Sequence, residues 1–376
     1  MKFSFGVSIH SLVRIGAVLL AGVAAPALAL AGATNAFHDP LATAASPVSH
    51  LERRSFQAIT EAGDRRVAVG ARGLIALSND GGRTWQQAPS PVQSDLLAVQ
   101  FVDDQYGWAV GHDGVVLHSR DGGQHWVKQF DGLAATEQFA AYYEGLGAAG
   151  DPDIEAALAS VHANYSRGPS LPLLDVWFLN REVGYAVGSF GTLIFTRDGG
   201  QTWTPAFERI DNSESLNLNA LRAVNGTLYI AAERGTLFRQ DAQSGRFQAL
   251  HTGSDGSLFG VTGNPHVLLA FGLSGGLFRS LDGGEHWSPV SVDTAGSFTA
   301  GKALLNGKGF ALVTANGELF MSDFSAQHVT RVDHFKLTRL TGIASGALGE
   351  LLLSSLEGLR VHQGDFSVTS TDKGAH

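Results

Sequence analysis

The sequence contains no cysteine. Disulfides, thiolate catalysis, iron–sulfur clusters and cysteine-ligated zinc are therefore excluded. Charge is sparse, with Asp, Glu, Lys and Arg making up 16% of 376 residues, against about 25% in an ordinary globular chain. Proline is scarce at 11 residues, which excludes a collagen or a proline-rich linker. Basic residues are outnumbered, 26 against 35 acidic, for a net charge of −9. That balance argues against nucleic acid as a partner, because displacing phosphate counterions needs a basic face. Beyond the N-terminus no run is long and apolar enough to span a membrane. Two residue classes are plentiful. Hydrophobic residues reach 44%, enough for a sizeable core. Glycine, at 47 residues, is about 12% of the chain against a usual figure of about 7%, so the chain turns often.

The first 31 residues read as a cleavable signal peptide. Lys2 and Arg14 form the positive region, and an uncharged apolar run extends from Ile15 to Ala31. It ends in Ala27-Leu28-Ala29 and Ala29-Leu30-Ala31, both small-x-small cleavage patterns. Pro26 interrupts the run, which is short for a spanning helix. No cysteine follows that could carry a lipid. An exported protein is expected, in the periplasm or a lumen-equivalent compartment. Residues 32–50 are expected to be a flexible lead-in.

Internal repeats set the architecture. The pattern [ST]-x-D-G-G-x-[TH]-W occurs at Ser78–Trp85, Ser119–Trp126, Thr196–Trp203 and Ser280–Trp287. Ahead of each copy an apolar strand ends, in three of them, as Val67-Ala68-Val69-Gly70, Trp108-Ala109-Val110-Gly111 or Tyr185-Ala186-Val187-Gly188. This weaker signature locates three further units, Tyr229 to Phe247, Phe310 to Val329 and Leu351 to Phe366, in which the box has decayed. The box aspartates or their equivalents are Asp80, Asp121, Asp198, Asp241, Asp282, Asp323 and Asp365. Their spacing is close to 41 residues except for one long step, from Asp121 to Asp198, which marks a single insertion. Each unit holds four short alternating runs, the arrangement of a propeller blade. The sequence thus predicts an all-β, seven-bladed β-propeller over residues 51–370, with a tail at 371–376. A short helical insertion, about 131–172, lies between blades 2 and 3. Phe139, Tyr142, Tyr143 and Leu146 fall at helical spacing from Thr136 onward. Asp151-Pro152 is a helix-start signal ahead of Ile154, Leu158, Val161 and Tyr165.

The box is read as fold chemistry. Asp80, Asp121, Asp198 and Asp282 sit at a tight turn and can accept backbone N–H bonds. Gly81, Gly82, Gly122, Gly123, Gly199, Gly200, Gly283 and Gly284 tolerate positive φ. Trp85, Trp126, Trp203 and Trp287 are expected to wedge between neighbouring sheets. His125 and His286 replace a box threonine and read as turn residues. No metal site, phosphate loop, nucleophile elbow or cofactor site is indicated.

These residues carry a resemblance. The box resembles the Asp-box (BNR) repeat of sialidases and related propellers. The longer unit, Gly107-Trp108-Ala109-Val110-Gly111, a two-residue turn, Gly114, a strand, then Ser119-x-Asp121-Gly122-Gly123-x-x-Trp126, resembles the photosystem II stability/assembly factor family of chloroplasts and cyanobacteria, which has relatives in non-photosynthetic bacteria. The resemblance covers roughly residues 55–366. It implies a non-enzymatic assembly factor on the lumenal or periplasmic side of a membrane, binding an unassembled membrane protein. The family's binding face is associated with arginines, whereas this chain is acidic overall.

The expected function is a binding or assembly scaffold for a membrane or envelope protein client, monomeric and at most peripheral at the membrane. The alternative is a carbohydrate-active propeller, either a sialidase-like hydrolase or a glycan binder. Glycosidases need two facing carboxylates, and Asp113, Glu233 and Glu357 lie in comparable turns of different blades. Partner contacts are expected from the variable turns between second and third strands, at Arg72, His112, Asp113, Phe190, Glu233, Arg234, Asn316 and Glu357, and from Tyr142 and Tyr143 in the insertion. Variation on a fixed glycine frame is what a recognition surface looks like.

Overall fold

The computed structural model describes residues 38–363, apart from 148–149, 167, 169, 305–308, 335–338 and 347–348. The signal segment, residues 32–37 and Asp365 lie outside the described residues.

Seven antiparallel sheets follow one another along the chain, each with its strands in sequence order. Blade two shows the pattern, as Leu96–Phe101, Gly107–Gly111, Val116–Ser119 and Val127–Phe130. The first strand of each blade lies beside the first strand of the next, and Leu340–Ser345 of blade seven lies beside Phe56–Ala62 of blade one. The sheets therefore form a closed wheel with the first strands lining its hub. A cavity of about 540 Å³ runs through that hub, bordered by all seven first strands.

A lone four-stranded sheet cannot bury both faces, and radial packing solves this. The described core falls into seven apolar clusters, one at each junction between neighbouring blades. The box tryptophans occupy these junctions as expected. Trp126 packs with Leu77 and Val67 of blade one, Trp203 with Trp108 and Val116 of blade two, and Trp287 with Tyr229 and Leu250 of blade four. Trp85 lies with Leu352 and Val361 of blade seven. Truncating a well-buried tryptophan of this kind costs about 3–5 kcal/mol.

The glycine closing the second strand has a spatial cause. Gly70, Gly111, Gly188 and Gly272 are extended, so no positive φ requires glycine there. Instead the chain entering the blade presses against them. A Cβ on Gly111 would lie 2.0 Å from the Asp95 carbonyl oxygen, and one on Gly272 would lie 2.0 Å from that of Ser257. The pairing of first and second strands shifts register at this point in every blade.

Blade seven has three described strands, Leu340–Ser345, Leu351–Ser355 and Gly358–His362. The ring closes here by packing against blade one. Thr341 Oγ1 donates to Phe56 O at 2.8 Å, and a single helical turn, Leu51–Arg53, lies against Gly358–His362.

Residues 38–50 lie along the edge of blade one. Ala45 N donates to Ser90 O at 3.0 Å and Gln93 N to Pro40 O at 2.7 Å. Val48 N donates to Gln87 Oε1, and Leu41 is buried in the cluster between blades one and two. A short polar stretch reads as loose in sequence, but here the edge of blade one supplies its hydrogen-bond partners.

The insertion forms two helices, α1 (Gly132–Gly145) and α2 (Pro152–Tyr165). Asp131 caps α1 by accepting from Leu133 N and Ala134 N, so the helix starts four residues before the expected Thr136. Asp151 caps α2, with proline at its first position as expected. Phe139, Tyr143 and Val161 are buried in the cluster shared by blades two and three, with Phe139 stacked on Phe130 of blade two. Among the described residues no helix is long and apolar enough to cross a membrane.

Candidate partner-binding face

The chemistry of the box fixes one face of the wheel. Ser78 Oγ donates to Asp80 Oδ1 at 2.8 Å and accepts from Gly82 N at 2.8 Å. Asp80 also accepts from Thr84 N and Thr84 Oγ1, at 2.9 and 2.6 Å. Gly81 and Gly82 both take positive φ, as expected. The same network recurs at Asp121, Asp198 and Asp282. His125 and His286 replace the threonine hydroxyl, each with Nδ1 within 2.7 Å of the carboxylate. Donors converging on a carboxylate favour its charged form. Hydrogen bonds from Thr84 accordingly hold Asp80 down at about 2, and those from His286 hold Asp282 well below the usual carboxylate range. The decayed box of blade six keeps this function, with Asp323 accepting from Ser325 Oγ and Gln327 N.

The box also latches neighbouring blades, which spacing alone did not reveal. Arg65 Nη1 of blade one donates to Gly122 O at 2.8 Å. Trp108 Nε1 of blade two donates to Gly199 O at 3.3 Å. Tyr229 Oη of blade four donates to Gly283 O at 3.1 Å. A box-glycine carbonyl thus receives a donor from the second strand of the preceding blade.

The opposite face carries the turns between second and third strands. Arg72, Asp113, Phe190, Arg234 and Ser274 sit there with φ between +53° and +60°. Each of these five precedes a glycine that also has positive φ. Several backbones are braced to the segment entering the next blade. Arg72 N donates to Asp95 Oδ1 at 2.7 Å, Phe190 N to Asn217 Oδ1 at 2.8 Å and Ser274 N to Ser297 Oγ at 3.1 Å. This brace leaves the side chains of Arg72, His112, Phe190, Arg234, Asn316 and Glu357 exposed. Asp113 accepts from Ser94 Oγ at 2.7 Å. Glu233 accepts from Asn217 N at 2.9 Å, and Arg234 pairs with Glu214.

The helical pair rises from this same face. α1 lies against the turn His112–Gly114, and Asn164 Nδ2 of α2 donates to Phe190 O at 3.2 Å. Tyr143, expected among the partner-contacting residues, is instead fully buried. Its hydroxyl donates to Glu208 Oε2 at 2.6 Å and accepts from Phe207 N at 3.0 Å. It therefore fastens α1 to the blade-three link, and Tyr142 beside it is half-buried. A tyrosine on an amphipathic stripe gives no sign of which way the polar tip points.

In the hub, the charged residues that line the cavity are paired with one another. One arginine lines its cavity, Arg222, and it is engaged by Asp175. Lys302 Nζ lies 2.7 Å from Glu61 Oε1. Among the described residues no group of three or more histidines and carboxylates is placed to hold a metal ion.

A closed seven-bladed wheel, latched by Asp-boxes and carrying variable turns on one face, defines the class of Asp-box propellers. Within that class, a family model described as photosynthesis system II assembly factor YCF48 matches residues 55–135, 79–151 and 168–333. The chain belongs to this family. It is 32% identical over 168 residues to the photosystem II assembly protein Ycf48 of Synechococcus sp. (strain JA-2-3B'a(2-13)), covering 41% of this chain and 49% of that one. It is 29% identical over 163 residues to the chloroplastic photosystem II stability/assembly factor HCF136 of Cyanidioschyzon merolae, covering 39% and 37%. The chain thus spans about half or less of the length of these curated relatives. Among solved structures, one described as YCF48 bound to D1 peptide superposes with a TM-score of 0.61 at 16% identity, over 88% of this chain and 98% of that one. YCF48 from Cyanidioschyzon merolae gives 0.60 at 16% identity, over 84% and 96%. These superpositions establish the shared fold.

Proposed function

We propose that this protein is a non-enzymatic assembly scaffold, exported across a membrane, that binds a membrane or envelope protein client through the face bearing the variable turns and the helical pair. The observation that carries this reading is the division of labour between the two faces. The box face spends its aspartates, hydroxyls and glycine carbonyls on internal bonds. The turn face has its backbone braced and its side chains exposed at Arg72, His112, Phe190, Arg234 and Asn316. Family membership supports the assembly role, and the relatives' names attach that role to photosystem II. A solved relative is described as holding a D1 peptide, which supports a membrane protein as the kind of client. The N-terminal apolar run with its small-residue end supports export.

The test is affinity purification of the mature chain from detergent-solubilised membranes of its own cell, with partners identified by mass spectrometry. Turnover of chromogenic glycosides and sialosides is measured in parallel. A defined membrane protein enriched with the wild type, and lost when Arg72 and Arg234 are both changed to glutamate, is the expected outcome. Glycoside turnover without any membrane-protein partner would replace this reading with the carbohydrate-active one.

A further inference from the structure

Beside Phe190 a groove of about 470 Å³ opens between α2 and the link from blade three to blade four. That is within the size range of specific ligand pockets, about 300–1,000 Å³. One wall is the α2 face presenting Asp153 and Ala156, and the other is the link presenting Phe207 and Asp211. Small residues on the helix wall keep the groove open. Its rim is acidic, and Arg246 bridges it, with Nη1 3.1 Å from Asp153 and Nη2 3.5 Å from Asp211. This single guanidinium is therefore shared between two carboxylates from opposite walls.

Phe190 is the second observation. It takes the left-handed conformation, φ 53°, and the residue is 53% exposed at the groove's edge. The corresponding turn residues of other blades also have positive φ, but they are Arg72, Asp113, Arg234 and Ser274. The fold imposes the backbone, and among the described residues an exposed aromatic occupies it only here. A bulky side chain at positive φ is disfavoured, and strained residues that persist cluster at ligand clamps and switch regions.

We infer that the groove between α2 and the blade-three link binds an extended segment of a partner protein that carries one basic side chain flanked by apolar ones. The apolar side chains lie on Phe190 and the half-buried Phe207. The basic side chain enters between Asp153 and Asp211 and displaces Arg246, which now stands in for it. Charge complementarity selects this occupant. The two rim carboxylates share one cation, so an incoming arginine or lysine gains a partner that an acidic segment cannot. This inference rests on the scaffold reading above and names the chemistry of the client segment.

The experiment uses the folded mature chain and a labelled, acetylated decapeptide with one arginine between two leucines in a glycine–serine background. Twin peptides replace the arginine by glutamate, or both leucines by serine. Binding is followed by fluorescence anisotropy. The parent peptide is expected to bind at least tenfold more tightly than either twin. Asp153→Asn with Asp211→Asn should weaken it at least fivefold, and Phe190→Ser should do so independently. Arg246→Gln should tighten it, because the competing cation is gone; a merely structural role for Arg246 would weaken it or leave it unchanged. Equal binding of the three peptides, or an affinity that is unchanged or weakened in Arg246→Gln, would overturn the inference. The same Asp153→Asn, Asp211→Asn variant is then used to purify the membrane client. If the wild type and the variant capture it equally, the groove assignment fails and the scaffold reading stands. If the wild type captures no client at all, the scaffold reading itself fails.

Discussion

Lys302 and Glu61, 241 positions apart in sequence, meet at 2.7 Å on the wall of the hub. Glu61 Oε1 also accepts from Ser345 N of blade seven. One carboxylate from blade one therefore holds blade six by its side chain and blade seven by its backbone, at the place where the ring must close. Burial pushes the Glu61 carboxyl up, but the Lys302 charge and the donated hydrogen bonds outweigh it and hold the pKa below the ordinary 4.5. A carboxyl depressed in the folded state adds stability that is complete above its unfolded pKa and lost as pH falls through the folded value. Lys302→Met should cost about 1–3 kcal/mol at neutral pH. Urea unfolding should also show it losing less stability than wild type when acidified below pH 4.5.

The box aspartates are expected to matter for folding and not for any turnover. Asp198 accepts from Thr196 Oγ1, Thr202 N and Thr202 Oγ1 at 2.8, 2.9 and 2.6 Å. Asp198→Ala strands these donors and should destabilise by about 1–3 kcal/mol. Asp198→Asn keeps one acceptor oxygen and should lose less. Denaturant midpoints of the two variants, measured with an unchanged dependence on denaturant, check this ordering.

His118 should make the wheel sensitive to mild acid. Its ring stacks on Trp108, centroids 4.6 Å apart, and Trp108 stacks in turn on Phe178 at 3.5 Å. Burial, with the nearby Arg120 charge adding to it, lowers the histidine from its ordinary 6.5 to about 4. In this case the unfolded chain binds the proton first. Stability is therefore full above pH 6.5 and falls as pH drops towards 4, by up to about 3 kcal/mol. His118→Phe should flatten that slope in chemical denaturation between pH 7 and 4. An unchanged slope would show that another group is responsible.

Gly111 tests the spatial origin of the glycine frame. Its φ suits any residue, so only the approach of the Asp95 carbonyl forbids a side chain. Gly111→Ala should cost about 1–3 kcal/mol through displacement of the chain entering blade two. Gly81→Ala tests the other kind of glycine, since no atom lies within 4 Å of a Cβ there and the penalty arises from φ +74°.

The seven blades were legible because one local signature recurs at a nearly constant interval, and a propeller repeats its contacts with its sequence. The helical pair was legible from Asp151-Pro152 and the apolar stripes. The start of α1 was placed late because Asp131 read as the edge of an insertion, although it is the N-cap. What stayed hidden depends on neighbours distant in the chain. Trp108 reaching Gly199, Arg65 reaching Gly122 and Lys302 reaching Glu61 leave no trace in periodicity. The burial of Tyr143 is set by Glu208 on another element. The turn face itself was visible as variation inside a fixed frame. Its groove was not, since α2 and the blade-three link meet only in the folded chain.

Site-specific photocrosslinking tests the assignment of the two faces most directly. A photoreactive residue replaces Arg72, Phe190 or Arg234 on the turn face, and Asn79 or Leu281 on the box face, one at a time in the full-length protein in its own cell. Crosslinks from the three turn-face positions to the water-exposed segments of one membrane protein, with none from the box face, are the expected result. Crosslinks arising from Asn79 and Leu281, with the turn face silent, would contradict it.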